Sequence, residues 1–340
     1  MKYGLYYFKE THNIGDDIWA FAQSLFYPHI DYLIDNQSVY KFQTDQDEIV
    51  ATIISAFVES WNNEIHFLLP ESILPFFIGS YFKPTMWDYL KNEAMVRYLR
   101  QFQPIGVRST SNVERLSAMG VNSYFSGCIS LTLPSFKNDC TKNKYICCVD
   151  VNDEVVQYVK DKTRGENIEI KRFSHDVLRW NETEKEKYFS MNQIERFELV
   201  KEYIDLYANA HCVVTSRLHC ALPCLSQKTP VLLVLPRDGR GVSDMEDRMS
   251  SYYSMLHVCY DDNFANHTVE YDFKQPPLNS DDYVKYRDLL NNNIQQFINQ
   301  CENGEINKTY DSRIQDTRKN EYIDFLLQMI DDLKKEKITK

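Results

Sequence analysis

Short apolar segments rich in β-branched residues alternate with helix-length amphipathic ones along most of this chain, and that alternation constrains the fold more than any other feature. Strand, helix and strand in succession build parallel sheets covered by helices, because each crossover has to return along a sheet face. Residues 2–8, 29–34, 48–58, 65–69, 76–82, 104–108 and 123–133 read as strands in the first part, with helices over 13–26, 86–102 and 112–119. Residues 135–144 are polar and aperiodic and read as a linker. Beyond them the alternation restarts, with strands at 145–151, 168–173, 211–215 and 230–235. Helices are expected from Asp153, from Met191, over 218–225 and over 247–256. In the helix from Met191, the residues Ile194, Phe197, Val200, Ile204 and Tyr207 keep helical spacing.

The fold class expected is therefore α/β, with two Rossmann-like domains facing a cleft. Residues 1–137 would form an N-terminal α/β domain and 144–310 a C-terminal one. Residues 311–340 would add an amphipathic helix, since Tyr322, Phe325, Leu326, Met329, Ile330 and Leu333 make one apolar stripe with charges opposite. That stripe must dock something, either the body of the protein or a partner or membrane face.

Composition narrows the function classes. With 340 residues, 43% of them hydrophobic, the chain can bury a large core. A formal net charge of -11 argues against nucleic acid as a partner, because a phosphate backbone demands a dense cationic face. A small anionic ligand would need cations focused locally in a cleft. The nine cysteines form no pair of CxxC units, which suits reduced thiols; Cys220 and Cys224 stand one helical turn apart without two further ligands, so no metal is expected. The opening residues 1–8 meet Lys9 and Glu10 too soon for a cleavable signal, and no run nears the ~18 apolar residues of a membrane span. A cytoplasmic location is the expectation.

Cations at strand ends supply the candidate site. In an open α/β sheet, ligands bind beyond the carboxyl ends of the strands, where the next helix presents its N-terminal N–H groups. The segment 211–220 runs an apolar strand straight into Arg217, Leu218 and His219. Arginine offers a planar fork for a carboxylate or phosphate, and histidine carries a proton near neutral pH. At 104–109 a second strand delivers Arg108 to a helix start, so that two halves of the molecule would each contribute a cation to a small anion. Near the start, Asn13, Gly15, Asp16 and Asp17 lie between a strand and a helix. They can cap that helix, or place a carboxylate as general base at Asp16 or Asp17. The loop 236–241, with Arg237 and Arg240, follows another strand and could cradle a phosphate through backbone amides.

In order along the chain, the segments 13–16 (Asn-Ile-Gly-Asp), 105–109 (Ile-Gly-Val-Arg-Ser), 116–120 (Leu-Ser-Ala-Met-Gly), 127–133 (Gly-Cys-Ile-Ser-Leu-Thr-Leu) and 214–219 (Val-Thr-Ser-Arg-Leu-His) resemble the polysaccharide pyruvyl transferase family. The resemblance spans roughly residues 13 to 235. It departs from the family's pattern at 53–58, which lacks a glycine cluster that many members carry. What it implies is a fold like the glycosyltransferase-B architecture, phosphoenolpyruvate as donor, a sugar hydroxyl pair as acceptor, and a pyruvate ketal on a cell-surface polysaccharide or its precursor. It further implies His219 as acid, Arg217 and Arg108 on the donor's carboxylate and phosphate, and Asp16 or its neighbour Asp17 as base, with no cofactor. A lipid-linked acceptor at the inner membrane face, with peripheral membrane contact, would follow. The alternatives are a nucleotide-sugar glycosyltransferase of the same architecture and a catalytically inactive saccharide-binding subunit.

Overall fold

The computed structural model describes residues 1–46, 48–58, 69–90, 93–137, 144–237, 247–306 and 327. The chain divides into two compact units, one made of Met1–Tyr7, Phe26–Ser126 and the segment from Asn292, the other of Phe8–Leu25 and Gly127–Asn291. The second unit thus takes up the chain at Gly127 rather than at 144, and helix α1 (Ile14–Ser24) leaves the unit of the strand that precedes it. Its apolar residues Ile14, Ile18, Trp19 and Ala22 are fully buried. They pack with the helices of the second unit, where Phe21 meets Phe197 with ring centroids 5.4 Å apart. The amphipathic stripe expected at 322–333 lies outside the described residues, apart from Leu327. No helix among the described residues is long and apolar enough to cross a membrane.

The first unit is built on parallel strands. Strands β1 (Lys2–Tyr7), β2 (Tyr32–Asp35), β3 (Val50–Ile54) and β5 (Ile73–Phe77) form one sheet in the order β2-β1-β3-β5. Two parallel pairs accompany it, β4 (Phe57–Val58) with β6 (Tyr81–Phe82), and β7 (Ile105–Val107) with β8 (Ser123–Phe125). The strand expected over 76–82 is divided at Gly79, whose φ of +71° an L side chain rarely adopts. Ser80 bridges to Val107 and its carbonyl accepts the Arg108 N–H at 2.8 Å, so β7 ends beside the start of β6. Helices α2 (Met86–Tyr89), α3 (Glu93–Arg100) and α4 (Thr110–Ala118) complete the connections. Residues 65–68 of the strand expected at 65–69 lie outside the described residues.

The second unit holds a five-stranded parallel sheet of β9 (Lys144–Val149), β10 (Ile168–Phe173), β11 (Cys212–Thr215), β12 (Val231–Leu235) and β13 (His257–Tyr260), in the order β10-β9-β11-β12-β13. Alternation of side chains along each strand gives both faces something to bury. Ile146, Cys148, Val214 and Val234 pack on Val155, Tyr158 and Val159 of α5 (Asp153–Lys162). The opposite face carries α7 (Gln193–Ala208) and α8 (Leu218–Ser226), after the shorter α6 (Glu182–Ser190). Because α8 is covered on every side, its residues from Leu218 to Leu225 are all buried. The strand order reverses between β9 and β11, and in such sheets the crevice for a ligand opens at the carboxyl ends of those two strands.

Candidate functional site

Asp150 follows β9 directly and takes a left-handed backbone with φ of 53°, a conformation in which Asp is enriched among non-glycine residues. The turn aims its carboxylate across the sheet end. Ser174 Oγ donates to Oδ1 at 2.6 Å, the His175 N–H donates to Oδ2 at 2.9 Å, and Arg217 Nε donates to Oδ2 at 2.9 Å. Ser216 Oγ donates to the Asp150 carbonyl at 2.6 Å, which ties the end of β11 to the end of β9. Burial pushes the Asp150 pKa up, but the Arg217 charge and the hydrogen bonds from Ser174 and His175 outweigh it and hold the carboxyl below its usual range. The result is a buried, ionised anchor for the Arg217 guanidinium, with that of Arg179 3.7 Å from its other oxygen.

Arg217 is held by that anchor through Nε alone. Its side chain is 34% exposed while that of Asp150 is 2% exposed, and its two Nη groups carry no hydrogen bond among the described residues. A guanidinium fixed on one edge and open on the other is preorganised for an oxyanion. Leu218, next in sequence, is buried as the first residue of α8 and locks the helix start.

His219 lies in the first turn of α8 and is 8% exposed. The start of α1 runs close against it: a Cβ added at Gly15 would stand 3.0 Å from His219 Nδ1 and 3.1 Å from its Cβ. Glycine at 15 is therefore what allows this approach. Asn13 caps α1 through Oδ1, which accepts the Gly15 N–H at 3.1 Å. The same segment is pinned to the turn after β10, because the Ile14 N–H donates to the His175 carbonyl at 2.9 Å and the Val177 N–H to the His12 carbonyl at 2.8 Å. Two motifs some 200 positions apart in sequence thus meet in one unit.

The two acidic candidates on α1 separate clearly. Asp16 is half-buried and accepts from Thr11 Oγ1 at 2.7 Å and Trp19 Nε1 at 3.4 Å. Asp17 is buried, accepting from Tyr188 Oη at 2.6 Å, and the Arg196 guanidinium lies over the Tyr188 ring at 4.7 Å. Burial raises the Asp17 carboxyl to about 6 against the lowering effects of Tyr188 and Arg196. Asp17 is therefore a packing group between α1, α6 and α7, whereas Asp16 keeps access to solvent.

Arg108 belongs to the first unit, at the end of β7. It is fully buried, with its guanidinium carbon 4.6 Å from the Phe57 ring centroid and 5.9 Å from that of Tyr81. Arg237 follows β12 in the second unit; it stacks on Tyr260 at 4.2 Å and pairs with Asp262 at 3.4 Å. Arg240 lies outside the described residues. Burial pushes the Cys224 thiol well up, and Cys220 packs beside it. Among the described residues no group of three or more His, Cys, Asp or Glu is placed to hold a metal ion.

Asp150, Ser174, His175 and Ser216 were not singled out in the sequence. The available signal was a polar Asp-Val-Asn directly after the apolar strand β9, the counterpart of Ser-Arg after β11. His175 is buried with Nε2 2.7 Å from Tyr207 Oη, and burial, then the nearby Arg217 charge, lowers its pKa to about 4 despite the opposing pull of Asp150. It is neutral at pH 7 and fixes the turn through its backbone.

A family model described as polysaccharide pyruvyl transferase matches residues 52–238. No curated protein matches the chain. Among solved structures, an uncharacterized protein from Klebsiella pneumoniae subsp. pneumoniae NTUH-K2044 aligns at 14% identity and a TM-score of 0.43, covering 76% of this chain and 92% of that one. A calicheamicin glycosyltransferase aligns at 11% identity and a TM-score of 0.31, covering 78% of this chain and 68% of that one.

Proposed function

Because the chain belongs to the polysaccharide pyruvyl transferase family, we propose that it moves the enolpyruvyl group of phosphoenolpyruvate onto a pair of sugar hydroxyls, forming a pyruvate ketal on a cell-surface polysaccharide or its precursor. The observation that carries this reading is the convergence of Asp150-anchored Arg217, His219 and the Asn13–Asp16 segment at the strand-order reversal of one parallel sheet.

Ketal formation has a definite balance. A proton adds to the methylene carbon of phosphoenolpyruvate and cationic character develops at the adjacent carbon. One sugar oxygen bonds to that carbon, its C–O bond to phosphate breaks, and the second oxygen closes the ring, so that one hydroxyl proton replaces the one consumed and the other leaves with phosphate. The step needs an anion clamp, an acid and a base. In this scheme the open edge of Arg217 holds a donor oxyanion, His219 delivers the proton, and Asp16 takes a hydroxyl proton. Asp150 acts as a positioning residue for Arg217. No metal or nucleotide is required. The wider reading includes a glycosyltransferase-B-like architecture, supported by a parallel sheet in each unit, and an acceptor that is lipid-linked at the inner membrane face.

Thermal shift tests the donor. A ligand bound only to the native state adds about 2.7 kcal/mol at a hundred times its Kd. Phosphoenolpyruvate is expected to raise Tm in the wild type and to have no effect on Arg217→Ala. Stabilisation by a nucleotide sugar alone would replace this reading with a glycosyltransferase.

A further inference from the structure

A cavity of about 710 Å³ opens in the second unit at the carboxyl ends of β9 and β10, against α6 and the middle of α7. Asp150 is in its wall, so the cavity borders the Arg217 anchor. Three aromatic side chains, Phe173, Trp180 and Tyr203, line it together with Arg179, Glu184 and Lys187. The aromatic walls are held in place. Trp180 donates from Nε1 to the Ser174 carbonyl at 2.9 Å and packs edge-on against Tyr188, centroids 5.8 Å apart. Tyr203 packs edge-on against His175 at 5.8 Å and Phe173 at 6.3 Å.

The charges decide what such a space binds. Arg179 lies 3.5 Å from Asp176 and 3.7 Å from Asp150, and Arg172, also on the wall, lies 2.5 Å from Asp153. Glu184 and Lys187 stand three apart on α6 with opposite sign. With Asp176, Asp150, Asp153 and Glu184 set among these cations, the wall carries charges of both signs in near balance rather than a concentrated positive field. Fixed aromatic faces ringed by polar groups of both signs suit a ligand with apolar ring faces and an equatorial belt of hydroxyls.

We propose that this cavity seats a neutral pyranose of the saccharide acceptor, stacked on Trp180 and Tyr203, so that the sugar lies next to the donor held by Arg217. The assignment rests on the pyruvyl transfer reading for its role, while its binding chemistry is measurable alone. Saturation-transfer NMR on the full chain, with a panel of neutral, uronic-acid and phosphorylated disaccharides, is the experiment. At least one neutral disaccharide is expected to bind, about tenfold more weakly in Trp180→Ala and close to wild type in Trp180→Phe. Lys187→Glu should leave neutral-sugar binding within about twofold. Binding restricted to phosphorylated or acidic sugars would overturn the proposal, as would indifference to Trp180→Ala or silence across the panel. Should Trp180→Ala fail to fold, a tenfold loss in Lys187→Glu or an unaltered signal in Trp180→Phe carrying Tyr203→Ala would overturn it instead. A saccharide signal without any phosphoenolpyruvate stabilisation would break the donor assignment and leave the cavity standing.

Discussion

Arg108 and Arg217 occupy the same place in the sequence grammar, a cation delivered by a short apolar strand to the start of a helix, yet their surroundings are opposite. Arg108 is wholly buried, its guanidinium set over the rings of Phe57 and Tyr81. Arg217 is one-third exposed and tethered by a carboxylate that sits deeper than itself. A strand-end arginine is therefore not one kind of residue. What surrounds it, not its place at a strand end, sets how far its charge is exposed.

The sharpest way to break that comparison is turnover. Arg217→Ala should lower kcat/KM on the order of 10³-fold in a ketal-forming assay, the scale of losing a preorganised charge partner of the transition state. It also leaves Asp150 buried without its strongest cation, so stability should fall as well. Adding Asp150→Asn should restore much of the stability and none of the activity. Recovery of activity in the double variant would mean that Arg217 serves Asp150 rather than a ligand.

Arg108→Ala is expected to cost about 3 kcal/mol of stability, read by denaturant unfolding, because it strips a large buried side chain and its ring contacts together. A folded Arg108→Ala protein with undiminished stability but a strongly raised KM for phosphoenolpyruvate would place Arg108 in ligand binding.

A pH-dependent effect concerns two buried titrating groups of the second unit. Asp17 has a pKa of about 6 in the folded chain against 3.8 for the free group, so between those values the native state keeps a proton the unfolded chain has lost. Stability from this group falls as pH rises from about 4 to 6. His175, lowered to about 4 from 6.5, acts in the opposite direction, its contribution rising with pH over about 4 to 6.5. Asp17→Asn should gain on the wild type by up to about 3 kcal/mol as pH goes from 4 to above 6, unmasking the His175 slope. A difference that stays flat with pH would refute the shifted Asp17 carboxyl.

Much of the second unit was legible beforehand. The strands at Lys144–Val149, Ile168–Phe173, Cys212–Thr215 and Val231–Leu235 and the helix Gln193–Ala208 stand within a residue or two of where periodicity put them. Both depend on neighbours in sequence, through apolar alternation and caps such as Asn192. The Asn13 and Arg217 motifs were legible as strand-to-helix turns for the same reason. The division of 86–102 into two short helices and the break at Gly79 were not, since both depend on how the first unit packs.

Sequence by itself determined the α/β class, the order of the motifs and the resemblance that led to the family, because these are carried by local pattern. Tertiary structure decided that α1 joins the second unit, that Asp150 anchors Arg217, and that Asp17 is interior while Asp16 is accessible. Each of those outcomes depends on which strands become neighbours. Strand order is set by the burial of whole faces and crossovers, over separations that no local pattern encodes.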